Sequence, residues 1–391
     1  MKVCIIAGDN ADYIFSLVQA LAHLGLHIDL LGGNDYEHSD YPSHVTFYNV
    51  RGSTDTNVPS WVKISRLTQY YVRCIKHLRK SSADIIHIQI FRFLLLELLI
   101  FVYLPKWCGK SVIYTAHNVQ RKGGTNAFKY ILYKILYQNV HHIICHTTDL
   151  KNKIIQRYHL APEKISVVQR GLNSLSRQTS ISPYEARERL GVDPSAHVLL
   201  LFGRIRPYKG YEIALEALDY LPSHLSPVQV LIAGQALRKV NSSYLQTVKQ
   251  LVEQRKLQDR VTFHNYRIPE DDIELFFKSA DVTIFPYLEG DFQSGVLFLT
   301  YRFGVPVIAS NVGSFPVAVQ PGLHGYLFET GNAKDLAAKI SQFYRELHPQ
   351  PHLCQSIRDY AEKYFSWNQT SVATLEVYER VLKPSNTEYR K

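Results

Sequence analysis

Short runs of β-branched and other apolar residues recur along the 391-residue chain, separated by stretches with an apolar repeat of three to four. The runs read as strands and the stretches as amphipathic helices, and their alternation predicts α/β units on parallel sheets. In the first half the predicted strands are 3–7, 27–31, 85–89, 111–115 and 142–146. In the second they are 198–202, 228–233, 261–265, 282–286 and 305–310. A Ser/Thr/Pro-rich stretch at 173–182 lies between the two series and reads as an interdomain connection. The pattern predicts two doubly wound domains in tandem.

Two helical stretches have distinctive faces. Over 63–80, Ile64, Leu67, Tyr71, Ile75 and Leu78 share one face, while Arg66, Arg73 and Lys80 repeat every seven residues on the other. Over 128–138, Phe128, Ile131, Leu132, Ile135 and Leu136 form a stripe expected to be buried. Tyr130, Tyr133 and Tyr137 line the opposite side, flanked by Lys129 and Lys134. The longest apolar block, 91–104, is interrupted by Arg92 and Glu97. It is too short to span a hydrocarbon core of roughly 30 Å and reads as a buried helix. The amino-terminal run 3–7 is too short for the apolar region of a signal peptide, so none is expected.

Composition adds little until charge is divided along the chain. Apolar residues are 46% and charged residues 20%, a folded globular balance. Five cysteines without a close pair (Cys4, Cys74, Cys108, Cys145, Cys354) argue against a disulfide framework and the usual zinc spacings, and suit a reducing compartment. The net charge is +10, but residues 1–173 hold 20 Lys+Arg against 11 Asp+Glu, whereas 174–391 hold 24 against 23. Within the first part, 61–139 carries 13 basic and 2 acidic side chains. A local excess of this kind marks a surface that meets an anionic partner. Tyrosines and lysines facing outward suit a membrane interface, where each base near an anionic leaflet contributes about 1 kcal/mol. A solvated basic face or a Tyr-rich contact between copies is the plainer alternative. No nucleic-acid-binding motif accompanies the charge, and nucleic acid is not an expected partner.

In open α/β sheets, ligands bind beyond the carboxyl ends of the strands. Two such loops in the second half carry suggestive chemistry. Gly203-Arg204-Ile205-Arg206-Pro207-Tyr208-Lys209-Gly210 joins a strand to a helix and puts two fixed cations, Arg204 and Lys209, beside a helix start that favours an anion. Glu289-Gly290-Asp291-Phe292-Gln293-Ser294-Gly295-Val296 leads into the next helix, with acids near backbone donors. Carboxylates bind vicinal hydroxyls, so an anion site beside acids suggests a sugar phosphate. A solvated loop and an acidic helix cap are the bland readings of the same segments.

In this order and spacing GRIRPYKG, ADVTIFPYLEGDFQSGV, FGVPVIASNVGSFPVAV and HGYLF resemble the donor half of GT-B glycosyltransferases of family 4, in a Ser-Gly-Val version of the loop. YTAHN at 114–118, VVQRGLN at 167–173 and Phe365-Ser366-Trp367 agree with it. The resemblance implies two Rossmann-like parallel-sheet domains facing a central cleft. It implies that Arg204 and Lys209 neutralise the donor diphosphate, and that His117 faces the donor sugar when the domains close. Gly203, Gln293, Ser294, Gly295 and Val296, with Asp291 or Glu289 as the acid, would bind the donor. Gly8, Asp9 and Asn10 would lie on the acceptor side. One family position departs: the second of two glutamates commonly found eight apart falls on Leu299, which cannot bind a ribose. Family members retain anomeric configuration and need no metal or cofactor, and the chain has no Asp-x-Asp for a metal-held diphosphate.

These readings combine into an acceptor-side domain over 1–173, a nucleotide-sugar domain over 174–371 and a helix from about 372–391 crossing back. The expected activity is retaining transfer of a hexose from a nucleotide-diphosphate sugar to a lipid-linked or other glycan acceptor in polysaccharide or glycoconjugate assembly. The enzyme is expected to be cytoplasmic and peripheral on the inner membrane face, with Arg66, Arg73, Lys80, Lys129 and Lys134 toward the lipid. The rivals are a nucleotide-sugar epimerase or hydrolase of the same fold and a non-catalytic nucleotide-sugar-binding partner subunit. A nicotinamide dehydrogenase is disfavoured, since no G-x-G-x-x-G follows either first strand.

Overall fold

The computed structural model describes residues 1–383 apart from 9–10, 38–39, 54, 56–57, 118–126, 173–178, 238 and 291–293. The chain divides into two compact units, Met1–Gly171 with Phe365–Lys391, and Leu172–Tyr364.

The first unit is built on β1 (Lys2–Ile6), β2 (His27–Gly32), β3 (Val45–Asn49), β4 (Ile85–Ile88), β5 (Ser111–Ala116), β6 (His142–Cys145) and β7 (Ile165–Val167). They form one parallel sheet in the order β3-β2-β1-β4-β5-β6-β7. Alternation along β1 feeds two cores. Val3 and Ile5 pack with residues of helices Ala11–His23 and Trp367–Leu382, and Cys4 and Ile6 with residues of Ser60–Lys80 and Ala127–Asn139. Strands covered on both faces read as continuous apolar runs, which is why β1, β4 and β5 were legible.

The second unit holds β8 (His197–Phe202), β9 (Val228–Ala233), β10 (Val261–His264), β11 (Val282–Phe285), β12 (Val307–Ser310) and β13 (Gly325–Phe328), in the parallel order β10-β9-β8-β11-β12-β13. Phe276, Phe277, Leu299 and Phe303 pack against Val198 and Leu200 of its central strand.

The structure corrects several expectations. Strands β3, β7 and β13 were missed; all three lie at sheet edges, β3 and β7 are largely uncovered and so lack an apolar signature, and β13 is buried but only four residues long. The helix Ser60–Lys80 buries Tyr71, Cys74 and Leu78, but Ile64 is 65% exposed and Leu67 is also exposed. In Ala127–Asn139 the assignment of faces is partly reversed: Phe128 and Ile131 are exposed, while Tyr137 is buried and Tyr130 and Tyr133 pack against the core. The tyrosines turn inward because they meet other rings, Tyr130 stacking on Tyr158 at 5.4 Å and Tyr137 approaching Tyr158 at 4.8 Å. The block 91–104 is only half buried. It continues through a π-helical stretch, Leu98–Tyr103, with Leu98, Ile100, Phe101 and Val102 inside and Phe93, Leu95, Leu96 and Leu99 outside.

The return to the first unit comes at Phe365 rather than about 372. Ser366 caps the helix Trp367–Leu382, and Thr370 donates to the Gln169 carbonyl at 2.9 Å. The Trp367 ring lies where a Cβ on Gly171 would sit, 2.4 Å from its Cδ2. Much of the expected connection, 173–178, lies outside the described residues. Thr179 beyond it donates to Glu274 of the second unit at 2.7 Å. All five cysteines are free thiols.

Candidate active site

The strand order of the second unit turns at β8 and β11, so the loops after these two strands stand side by side, as in the ligand crevice of open parallel sheets. They are the 203–210 and 286–294 segments. Leu288 N–H donates to the Tyr208 carbonyl at 2.8 Å and ties one to the other. Their approach is close enough to require glycine. Gly203 has φ +96°, and a Cβ there would meet Lys209 Nζ and Val296 Cγ2, each at 3.0 Å. At Gly210, φ +62°, a Cβ would lie 2.1 Å from the Pro286 carbonyl oxygen.

Lys209 is the centre of this cluster. It is 5% exposed, donates from Nζ to the Phe202 carbonyl at 2.9 Å, and lies 5.4 Å from the centre of the Tyr287 ring. Burial, with the neighbouring Arg206 charge, pulls its pKa down to about 7. An ammonium has three donors and the Phe202 carbonyl takes one of them, so the group keeps donor capacity that an anion could use. Arg204 is exposed at the end of β8 and Arg206 is half-buried. Ser294 is buried at the start of helix Gly295–Arg302, yet its hydroxyl does not cap that helix; it hydrogen bonds to Tyr287. Gly295 and Val296 open the helix and are half-buried, and Glu289 is exposed. Asp291 and Gln293 lie outside the described residues. Leu299 is 5% exposed and packs within the apolar core, where its side chain offers no hydrogen bond to a ribose.

In the first unit, His117 follows β5 and is held at both ring nitrogens. Its Nε2 is 3.0 Å from the Gln89 amide and its Nδ1 is 3.2 Å from His146 Nε2. Gln89 in turn lies 3.1 Å from His87 Nε2, which is 2.7 Å from Thr115 Oγ1, and the Tyr378 hydroxyl lies 2.6 Å from His87 Nδ1. Partners fix the protons. His146 Nδ1 faces the Val168 carbonyl at 2.9 Å and must donate, so its Nε2 accepts from His117 Nδ1–H. His117 Nε2 is then an acceptor. With every ring neutral, the Gln89 amide nitrogen donates to it and the amide oxygen accepts from His87 Nε2–H. The opposite turn of the amide, whose two ends are nearly isosteric, would need one extra proton on His117 or His146. Burial opposes that proton: it lowers the pKa of His87 to about 3 and of His146 to about 4, and His117 is lowered as well. Tyr13 stands edge-on to His117 and His146 at 5.3 and 5.4 Å, with the Arg170 guanidinium 5.2 Å from its ring centre. Among the described residues no three His, Cys, Asp or Glu side chains are placed to share a metal ion.

Gly8 is buried after β1, against Gln89, and its carbonyl accepts from the Tyr36 hydroxyl at 2.8 Å. Asp9 and Asn10 lie outside the described residues. Arg73, Lys80 and Lys129 are exposed, whereas Arg66 and Lys134 are half-buried. Sequence reasoning missed Gln89, His87, His146, Tyr378 and Arg206. A signal was present in IIHIQI over 85–90: polar residues two apart inside an apolar strand point to one buried face, where each needs a partner. No helix among the described residues is long and apolar enough to cross a membrane.

The chain is similar to proteins of known kind. The D-inositol 3-phosphate glycosyltransferase of Streptomyces bingchenggensis is 27% identical over 246 residues, 62% of this chain and 53% of that protein, so the chain spans about half the length of the curated relatives it matches. In fold it resembles sucrose-phosphate synthase from Thermosynechococcus elongatus, with a TM-score of 0.73 at 19% identity over 98% of this chain and 100% of that one. It likewise resembles Anabaena HepE in complex with UDP-glucose, with a TM-score of 0.72 at 16% identity over 97% and 100%. The model of glycosyltransferase family 4 matches residues 11–174, and that of glycosyl transferases group 1 matches residues 184–364. With the two halves matched in order on two parallel-sheet units, the chain belongs to the GT-B glycosyltransferases.

Proposed function

We propose that this glycosyltransferase moves a hexose, with retention, from a nucleotide-diphosphate sugar to a lipid-linked glycan acceptor in polysaccharide or glycoconjugate assembly, at the inner face of a membrane and without a metal. The observation that carries the donor half is Lys209, a buried ammonium at the turning point of the strand order with Arg204 and Arg206 nearby. Fixed cations at that point bind the diphosphate. They act more strongly as charge builds on the departing nucleotide, which lowers the barrier rather than only the ground state. Ser294 to Val296 offer backbone donors to phosphate or sugar. His117, locked between Gln89 and His146 with burial opposing its protonation, acts as an oriented neutral imidazole rather than as an acid. Anabaena HepE has been solved with UDP-glucose, which makes a uridine-diphosphate hexose the first donor to try.

The test is nucleotide release from UDP-, GDP- and ADP-sugars, with and without membrane lipid extract. Release from one donor that requires the extract is the expected result. Release without extract would favour the epimerase or hydrolase. Binding without release would favour the non-catalytic subunit, a reading supported by the apolar Leu299 at a position where the family commonly has an acid.

A further inference from the structure

A second concavity lies wholly in the first unit, at the carboxyl ends of β1 and β2 and beside the segment after β4. It is a cavity of about 220 Å³. Four cations line it: Arg51, Lys63, Arg66 and Arg92. Two carboxyls accompany them, and the buried one, Glu97, is committed to holding the walls. It accepts from the backbone N–H groups of Arg92 and Phe93, the latter at 2.9 Å, and from the Tyr71 hydroxyl at 2.9 Å. One carboxyl thereby fastens the segment bearing Arg92 to the helix bearing Lys63 and Arg66. Burial pushes its pKa up to about 7, so it opposes an anion less than an ordinary glutamate would. The other, Asp55, is exposed, and Arg66 binds its backbone carbonyl at 3.3 Å.

The two segments that supply Lys63, Arg66 and Arg92 also carry exposed apolar residues. Trp61 and Ile64, one helical turn apart on the helix that supplies Lys63 and Arg66, are 73% and 65% exposed. Phe93, Leu95 and Leu99, just beyond Arg92, are 54%, 57% and 53% exposed. Sites that enclose a whole small ligand occupy roughly 300–1,000 Å³, so this cavity suits a head group whose remainder lies outside it. Cations lining the cavity and exposed apolar side chains on the same two segments match an amphiphile with an anionic head.

We infer that this cavity binds the phosphate or diphosphate head of an amphiphilic acceptor, with Arg51, Lys63, Arg66 and Arg92 taking the anion and the exposed apolar residues taking the chain. The inference rests on the lipid-linked reading of the acceptor and gives it a site.

Binding is measured by calorimetry without any donor and with the Lys209 site removed by Lys209→Met, so neither transferase activity nor diphosphate binding at that site bears on the result. The probes are farnesyl diphosphate below its micelle concentration, inorganic pyrophosphate, farnesol, and phosphatidylglycerol vesicles. Farnesyl diphosphate is expected to bind about ten-fold or more tighter than pyrophosphate or farnesol, and more weakly as salt rises. Lys63→Gln with Arg66→Gln, neither of them in the buried core, should weaken it about ten-fold or more, while Lys63→Arg with Arg66→Lys retains it. Trp61→Ser with Ile64→Ser should weaken farnesyl diphosphate and leave pyrophosphate unchanged. Lys209→Met should leave farnesyl diphosphate binding unchanged. Equal affinity for pyrophosphate, equal affinity for farnesol, vesicle binding without farnesyl diphosphate binding, or insensitivity to the Lys63 and Arg66 changes would each overturn the inference.

Discussion

On the proposed role of Lys209 in holding the diphosphate, its burial would make donor binding a proton-linked event. The diphosphate of UDP-glucose is fully ionised at neutral pH, so any proton taken up on binding comes to the protein. Below pH 7 Lys209 is already charged; above it the ligand must draw a proton back, and affinity should fall by up to about ten-fold per pH unit between pH 7 and 9. Calorimetry in buffers of different ionisation heat reads that proton directly, and Lys209→Met should abolish the uptake. Lys209→Ala should lower turnover about a thousand-fold or more with the fold intact, and near-normal turnover would remove Lys209 from the reaction. On the other unit, Gln89→Leu nearly conserves volume and removes the group that bridges His87 and His117. If His117 serves as an oriented imidazole, kcat should drop about 10- to 100-fold while the donor KM stays within about three-fold. A change in KM alone would point to a binding role.

At the scale of elements, glycine at the loop crossing is a structural requirement. Gly203→Ala must accommodate φ +96° and a methyl against both Lys209 and Val296. It should cost about 1–3 kcal/mol of stability, read as a lower melting midpoint, together with weaker UDP-glucose binding. Much at this scale was legible. Central strands announce themselves because both their faces are apolar, and GRIRPYKG could be placed after a strand before any geometry was known. The faces of helices were less legible. Periodicity locates an apolar stripe but not how far along the helix a neighbour covers it, so Ile64 and Phe128 were assigned to a core that ends before reaching them. The histidine network was illegible for a related reason. His87, His117, His146 and Tyr378 come from four separate elements, and only the sheet order brings them together.

Across the whole molecule, buried neutral histidines tie stability to pH. His87 and His146 titrate near 3 and 4 when folded, against 6.5 in an open chain. Between those values the unfolded chain binds protons that the folded chain does not, so stability falls as pH drops below about 6.5. Each contributes about 1.4 kcal/mol per pH unit in that window, and the melting temperature should fall by several degrees from pH 7 to pH 5.5. A melting temperature unchanged over that range would contradict the buried neutral network. The last described helix bears on how the protein is made. Trp367–Leu382 supplies Val377 and Tyr378 to the core of the first unit, whose other parts are complete by Gly171. During vectorial synthesis the second unit, Leu172–Tyr364, can close as one uninterrupted stretch while the first waits with one face uncovered and His87 lacking its tyrosine. The second unit is thus the one able to mature first on the ribosome, and the first unit is finished only once Trp367–Leu382 has emerged behind it.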